Sequence, residues 1–477
     1  MRKVLLLIVG LICGTAMIHA QETWDLDKCV AYALENSNDI KSIKLSLENA
    51  RLTTQQAKMS RLPSLNASSS FGWNFGRQVD PSTNDFISQQ LSFNSIGLGT
   101  NVTLFNGGSI TNTIKKSKID EEAAGLDAKA IVNNLKLSIV QSYVAILLAE
   151  EQVSNAQTRV ATAEEQLRNT DKLISAGSVP RNDRLQILAN VATEQQNVIL
   201  SENNVAINYN LLKQLLQLDP GYNMVIEKPT SVIPIETSIN DLTFDEIYKT
   251  ATSTLPEVQS QELKIRSAEI DVDIAKANLI PTLSLSGNIG TNFSSAGKKF
   301  DFTEQTFTQG ENVRIDGNPA LIERDVVVEV PSISDNPYFD QLNENFGQGV
   351  SLGLSIPIFN GKRARTGVER SKLQIENLRI QKEQTLNTIK SDVQRALNNA
   401  KAAKLQLEAS QRSLDAQKAN YDNIQKRYTL GAISTFEYVT AKNSLDSAQF
   451  NETISRFDYI FKAKVLDFYM GKRLTIN

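Results

Sequence analysis

Two spacings of apolar residues alternate along this chain, and the alternation occurs twice. From Asp27 to Leu62 the apolar side chains Ile40, Ile43, Leu47, Ala50 and Ala57 recur on one helical face. Between Leu65 and Phe75 the period drops to two: Leu65, Ala67, Phe71, Trp73 and Phe75 alternate with Asn66, Ser68, Ser70, Gly72 and Asn74. A second run of period two, Ile96 to Leu104, alternates Ile, Leu, Thr and Val with Gly, Asn and Thr. After Gly108 the chain reaches Ala176 with no proline and one glycine, Gly125. That stretch predicts a helix of about 68 residues, rising roughly 100 Å at ~1.5 Å each. No globular core holds such a helix, so a coiled coil or tube must. Near its end Val153, Ala156, Val160, Ala163, Leu167, Thr170 and Ile174 step by three and four, the seam of a coiled coil. A return helix from Asp183 to about Leu216 follows.

The same plan recurs in the second half. Phe105-Asn106-Gly107 returns as Phe359-Asn360-Gly361, and Gly177-Ser178-Val179-Pro180 returns as Gly431-Ala432-Ile433-Ser434, both offset by 254 residues. An earlier pair, Ala57-Lys58 with Leu62-Pro63 and Ala275-Lys276 with Ile280-Pro281, is offset by 218, so the second half carries 36 extra residues between Pro281 and Phe359. A helix from about Asp245 to Ile280 opens on the capping box Thr243-Phe244-Asp245-Glu246. Strands follow through Leu283, Leu285 and Ile289 and through Val350, Leu352 and Leu354. The coiled-coil seam reappears at Leu407, Ser410, Leu414, Gln417, Tyr421, Ile424 and Tyr428, and a second return helix runs from Glu437 to about Met470. The expected divisions are a signal segment at 1–20, a first repeat at 21–235 and a second at 236–477. An acidic insertion at about 294–345 holds ten carboxylates against four cations. Its composition suits either a cap over an external mouth or a mobile solvated loop.

The strand faces decide the environment. Leu, Ile and Phe on one face with Ser, Asn, Thr and Gly on the other is the pattern of a barrel with lipid outside and water within. About ten residues per strand suits a tilted crossing of the hydrocarbon. Four strands per chain close no barrel, and open edges in lipid leave backbone groups unpaired. Several chains must therefore share one barrel. The expected fold class is an α + β membrane protein, a coiled-coil tunnel continuous with a multi-chain β-barrel.

The N-terminus and the missing residue types narrow the chemistry. Met1-Arg2-Lys3, an apolar run to Cys13 and small residues ending at His19-Ala20 form a secretory signal, with cleavage expected after Ala20. Ile12 before Cys13 is too large for a lipoprotein signal. Cleavage removes the only histidine and leaves Cys29 alone, so no disulfide forms within a chain and no His-based triad or metal site is available. Cys29, on an amphipathic helix, reads as buried filler. The mature charge falls from −3 to −5 on losing Arg2 and Lys3, which gives no footprint for nucleic acid. No catalytic, metal or cofactor site is expected, and the protein is not expected to be an enzyme.

Trp24-x-Leu26 with Ala33-Leu34-Glu35-Asn36, the two Phe-Asn-Gly turns and the two Gly tips, each with an acid six positions on, resemble the TolC-like outer-membrane efflux factor family over the whole mature chain. The resemblance implies a homotrimer in outer-membrane lipid, with a twelve-stranded barrel and a twelve-helix tunnel crossing the periplasm. It also implies docking to a periplasmic adaptor and an inner-membrane transporter of resistance-nodulation-division or ABC type. By position, Gly177, Ser178, Val179, Pro180, Gly431, Ala432, Ile433 and Ser434 would be the adaptor-docking tips. Glu437 matches the first of the family's aperture carboxylates, Thr440 stands where a second acid is expected, and Asp183 and Tyr428 match positions that latch neighbouring helices. The implied function is passive export of small molecules. A protein-secretion duct and a non-channel coiled-coil surface protein are the alternatives.

Overall fold

The computed structural model describes residues 23–79, 86–88, 90–177, 180–228, 239–430 and 432–472. The signal segment at 1–20 and the tip residues Ser178, Val179 and Gly431 lie outside them. In chain order the first elements are β1 (Thr23–Trp24), α1 (Leu26–Asn36), α2 (Asn38–Met59), β2 (Ser64–Asn74), β3 (Arg77–Val79), β4 (Phe86–Ser88) and β5 (Leu91–Asn106). Helices α3 (Ser109–Ser175) and α4 (Arg181–Leu216), strand β6 (Val225–Ile226), and helices α5 (Phe244–Thr254) and α6 (Pro256–Ala277) follow. Then come β7 (Thr282–Ser294), β8 (Lys298–Ile315), β9 (Asn318–Asp335), α7 (Tyr338–Glu344), β10 (Gly347–Ser355), α8 (Arg363–Thr429) and α9 (Thr435–Tyr469). They fall into two compact units, Met1–Thr54 with Lys116–Glu269 and Leu373–Asn477, and Gln55–Lys115 with Ile270–Lys372.

The first unit is helical. Each expected 36-residue helix before a strand is in fact two helices. The first breaks at Ser37, whose extended backbone follows the weak helix formers Asn36, Ser37 and Asn38. The second breaks at Leu255, which Pro256 forces out of helical geometry while itself starting α6. The capping box forms as read: Glu246 N–H donates to Thr243 Oγ1 at 3.4 Å and Glu246 Oε2 accepts from Thr243 N–H at 3.2 Å. The two cores use positions 254 apart. Ile139, Tyr143, Ile146 and Leu212 fill one, and Val393, Leu397, Ala400 and Leu466 fill the other. Cys29 is fully buried in the first, where burial pushes its thiol up to about 12. Tyr143 Oη lies 2.6 Å from Glu227 O and 3.2 Å from Trp24 O, joining the β1–β6 pair to α3.

Polar side chains set the order of helices in one layer. Thr54 donates to Ser117 O at 3.0 Å, linking α2 to α3. Ser260 and Lys264 reach Asp127 at 2.5 and 2.8 Å, and Ser267 reaches Asp120 at 2.5 Å, linking α3 to α6. Lys382 meets Glu262 at 2.9 Å, linking α6 to α8. The order is therefore α2–α3–α6–α8, and its two outer helices carry apolar heptad positions into solvent. These are Leu45 (72% exposed) and Leu52 on α2, and Leu373 (69%) and Ile380 on α8. Helix α4 is apolar on opposite sides: Ile187, Val191, Leu212 and Leu216 are buried, while Leu185, Leu188, Ile199, Leu200, Ile207 and Leu211 are exposed.

The second unit contains an antiparallel sheet in the order β10–β7–β5–β2. Its register separates the two side-chain types. Ala67, Leu98 and Ile289 are mutually opposite on one face, as are Val102, Leu285 and Leu352. On the other face Ser70 and Ser95 hydroxyls meet at 2.7 Å, as do Ser286 and Ser351. After β5 the chain turns through Gly107 and Gly108 at φ +64° and +83°. Asn106 Oδ1 accepts the Ile110 N–H at 3.3 Å and caps α3. A Cβ on Gly107 would lie 3.0 Å from Ile280 Cβ and 3.1 Å from Ala277 Cα. Gly107→Ala is therefore expected to cost about 1–3 kcal/mol, from left-handed strain plus crowding. Gly361→Ala, at φ +62° with open space, should cost less; thermal unfolding of the purified variants measures both.

The acidic insertion, whose composition suited either a cap or a mobile solvated loop, is built on two regular strands. It forms a regular hairpin, β8 against β9, in register from Lys298↔Asp335 to Ile315↔Asn318. Asp316 and Gly317, both at positive φ, make the two-residue turn that matches strand twist.

Candidate functional site

Two places stand apart from the packed interior: the hairpin tips of the long helices, and the edges of the sheet and helix layer. At the first tip Gly177 adopts φ +72° and its N–H donates to Ile174 O at 3.0 Å. Pro180 then caps α4, with Asp183 N–H donating to Pro180 O at 3.1 Å. At the second tip Ala432 N–H donates to Arg427 O at 2.9 Å, and Ser434 caps α9 by accepting Glu437 N–H at 3.2 Å. Asp183 and Glu437 both sit in a first helical turn, where a carboxylate complements the helix dipole. The second tip also presents two large apolar side chains to solvent, Leu430 (83% exposed) and Phe436 (78%).

The tips are braced differently. Arg184 Nε and Asp171 Oδ1 pair at 2.8 Å between α3 and α4. Between α8 and α9 the brace is aromatic. Tyr428 stacks on Tyr438 with ring centroids 4.5 Å apart, and the Tyr438 and Tyr421 hydroxyls meet at 2.8 Å. Lys442 lies 5.5 Å from the Tyr421 ring and pairs with the buried Asp446 at 2.6 Å. Burial, then the Tyr438 bond and the nearby carboxylates, raise the Tyr421 hydroxyl well above its ordinary range. Tyr421 therefore stays neutral throughout the physiological range, and the cluster holds α8 against α9.

The predicted gate residues are not gathered into one cluster. Tyr428 joins the aromatic brace. Glu437 and Thr440 lie on exposed turns of α9, where Thr440 Oγ1 donates to Phe436 O at 2.8 Å. No side-chain hydrogen bond or ion pair joins Asp183, Glu437 and Thr440 among the described residues. Tyr438, Lys442 and Asp446 were absent from the sequence reading. Their i, i+4, i+8 spacing opposite Tyr421 and Tyr428, seven apart, is the signal that marks them. Leu430 and Phe436 are also additions, legible as apolar residues flanking a polar turn.

The free edges are equally specific. The sheet ends on β2 and β10, and the series of helices linked by polar side chains runs from α2 to α8 among the described residues. Strand β2 directly follows α2, and β10 directly precedes α8. Among the described residues no group of three or more His, Cys, Asp and Glu side chains is arranged to hold a metal ion.

A sheet with one apolar and one hydroxyl-lined face, joined through the chain to two 67-residue helices, defines the outer-membrane component of an export channel. The chain belongs to the outer membrane efflux protein family, whose model matches residues 30–217 and 333–459. It is 23% identical over 439 residues to the pyoverdine export outer membrane protein OpmQ of Pseudomonas aeruginosa, spanning 89% of this chain and 80% of the relative. Among solved structures it superposes on CusC with a TM-score of 0.73 at 17% identity, covering 94% and 92% of the two chains. The Campylobacter jejuni CmeC outer membrane channel gives 0.72 at 20% identity, covering 94% and 85%. The protein is thus an outer-membrane efflux component with its helical tunnel in the periplasm, and its relatives are channels and efflux proteins rather than enzymes.

Proposed function

We propose that three copies of the chain join head to tail, α2 and β2 of one against α8 and β10 of the next, into a twelve-stranded barrel and a closed helical tunnel. The observation that carries this reading is the coincidence of the free edges. Sheet and helix layer stop on elements adjacent in the chain, so one subunit boundary closes both. Unpaired strand edges in hydrocarbon leave backbone groups costing several kcal/mol each, which ring closure removes. A heterologous contact that closes makes a ring without exposed ends. The apolar face of α4 supports the same boundary, since a helix with two apolar sides sits between two neighbours. Aromatic side chains Phe71, Trp73, Phe75, Phe339 and Phe346, all exposed, suit the headgroup level of the outer leaflet.

Within this assembly the tips Gly177–Pro180 and Gly431–Ser434 dock a periplasmic adaptor, which couples the duct to an inner-membrane transporter that supplies the energy. Glu437 from each chain forms a carboxylate ring near the three-fold axis that favours cations. Thr440 in place of a second acid makes that ring a single one. The cargo is a small molecule, as the names of the pyoverdine-exporting and cation-exporting relatives suggest. Purified assemblies added to planar bilayers should give steady ionic conductance. No conductance from an intact assembly overturns the duct.

A further inference from the structure

The β8–β9 ribbon stands between β7 and β10 as the short β3–β4 hairpin stands between β2 and β5, but its paired strands are 18 residues long against three, and nothing in the duct requires that length. Each strand is 18 residues long, so the ribbon extends about 60 Å at ~3.4 Å per residue. It forms a sheet of its own with neither edge paired among the described residues. An isolated two-stranded hairpin is at best marginally stable in water. Its base, however, is firmly held. Gln341, on α7, is buried and donates to Ser294 O at 3.0 Å and Asn336 O at 2.8 Å, while its Oε1 accepts the Ser294 N–H at 2.9 Å. Asn336 N–H closes the base on Gly297 O at 3.0 Å, and Lys298 pairs with Asp335 on the first rung. The ribbon is an anchored element whose strand edges pair with no other strand among the described residues.

Its two faces differ in charge. Opposed residues share a face, so Lys298, Glu304, Arg314, Glu323, Asp325, Glu329 and Asp335 stand together on one side, five acids against two cations. That side includes Glu304 directly opposite Glu329, a like-charge pair that disfavours contact with another acidic surface. The other side carries Asp301 and Glu311 against Lys299 and Arg324 and is neutral. Along its centre Val326, Val328 and Val330 line one strand opposite Phe307, Gln305 and Thr303; the acidic side also exposes Phe300, Phe302, Leu321, Val327 and Ile333, so charge is what separates the two faces.

We propose that copies of this ribbon pack against one another through the neutral face bearing Phe307, Val326, Val328 and Val330, forming a collar beyond the strand ends with the acidic faces turned to water. The partner is a second copy of this chain, because the neutral face is the only one that identical acidic ribbons bring together without like-charge contact. This rests on the multi-chain barrel proposed above, which sets the ribbon bases around one axis.

Val327 and Val328 are adjacent and face opposite ways, which makes the test sharp. Cys29, the only other cysteine among the described residues, is fully buried. Full-length Val328→Cys and Val327→Cys proteins are oxidised in the outer membrane, resolved on non-reducing gels, and in parallel labelled with a bulky maleimide. Light scattering of the same samples reads assembly. The expectation is a cross-linked dimer for Val328→Cys, holding up to about two thirds of the chains of a three-fold ring. Val327→Cys should cross-link at least tenfold less and label at least tenfold faster. Equal cross-linking and labelling at both positions, or none at 328 in an intact assembly, overturns the collar and leaves the barrel standing. Loss of assembly in the unsubstituted protein overturns both.

Discussion

Replacing Leu373 by Glu is expected to abolish assembly while leaving the single chain folded. Leu373 is mostly solvent-exposed in one chain, so a carboxylate there meets water and the helix keeps its own hydrogen bonds. The α8 segment around it is anchored elsewhere, through Lys382 to Glu262 and through the core at Val393 and Leu397. In the proposed ring, however, Leu373 and Ile380 face Leu45 and Leu52 of the next copy. An unpaired carboxylate enclosed there costs about 3–5 kcal/mol at each boundary. The cost recurs at every boundary of the ring, so the equilibrium shifts to monomers. Light scattering should show that shift, far-ultraviolet circular dichroism should show helicity retained, and bilayer conductance should vanish. Leu52→Glu is expected to act alike from the other side. A Leu373→Glu protein that assembles and conducts normally would exclude this boundary.

The sequence carried the long helices and the four-stranded sheet openly, for physical reasons that particular residues make plain. A proline-free run from Gly108 to Ala176 has no way to stop, and α3 occupies nearly all of it. Strict alternation in Leu283, Leu285 and Ile289 survives in the register, where Leu283 and Leu285 stand opposite Leu354 and Leu352 on one face. The Phe-Asn-Gly turns needed left-handed residues, and Gly107, Gly108, Gly361 and even Lys362 adopt them. What stayed hidden was decided by competition between signals. Pro256 marked a helix boundary, but the apolar periodicity on both sides masked it. In the ribbon, the Asp316-Gly317 turn and the alternating Val326, Val328 and Val330 were present. The excess of carboxylates left a cap and a solvated loop equally open instead. At the tip, Tyr438 needed the helix α8 to be placed before its partners Tyr421 and Tyr428 existed. The gate roles expected of Asp183, Glu437 and Thr440 came by position from the family resemblance, and no side-chain hydrogen bond or ion pair joins the three among the described residues.

Removing the apolar side chains of the second tip should separate export from conduction. Leu430 and Phe436 flank the turn Gly431–Ser434 and stand in solvent, where two such residues together are unusual unless something covers them. Burying each against an adaptor contributes about 1.5–3 kcal/mol. Truncating both to Ser therefore removes at least ~3 kcal/mol per tip, a loss of about a hundredfold or more in docking affinity. The fold should be spared. Ser434 still caps α9, the Tyr421–Tyr438 brace is untouched, and neither residue belongs to a core. The expected result is a Leu430→Ser/Phe436→Ser protein that assembles and conducts like the parent but no longer supports export in cells, with adaptor pull-down lost. Glu437→Gln is the companion measurement, because it should lower the preference for cations over anions in bilayers while leaving adaptor pull-down intact. If the double variant exports normally, the docking surface lies elsewhere on the tips. If it stops conducting as well, the two side chains serve the channel itself, and docking is not their role.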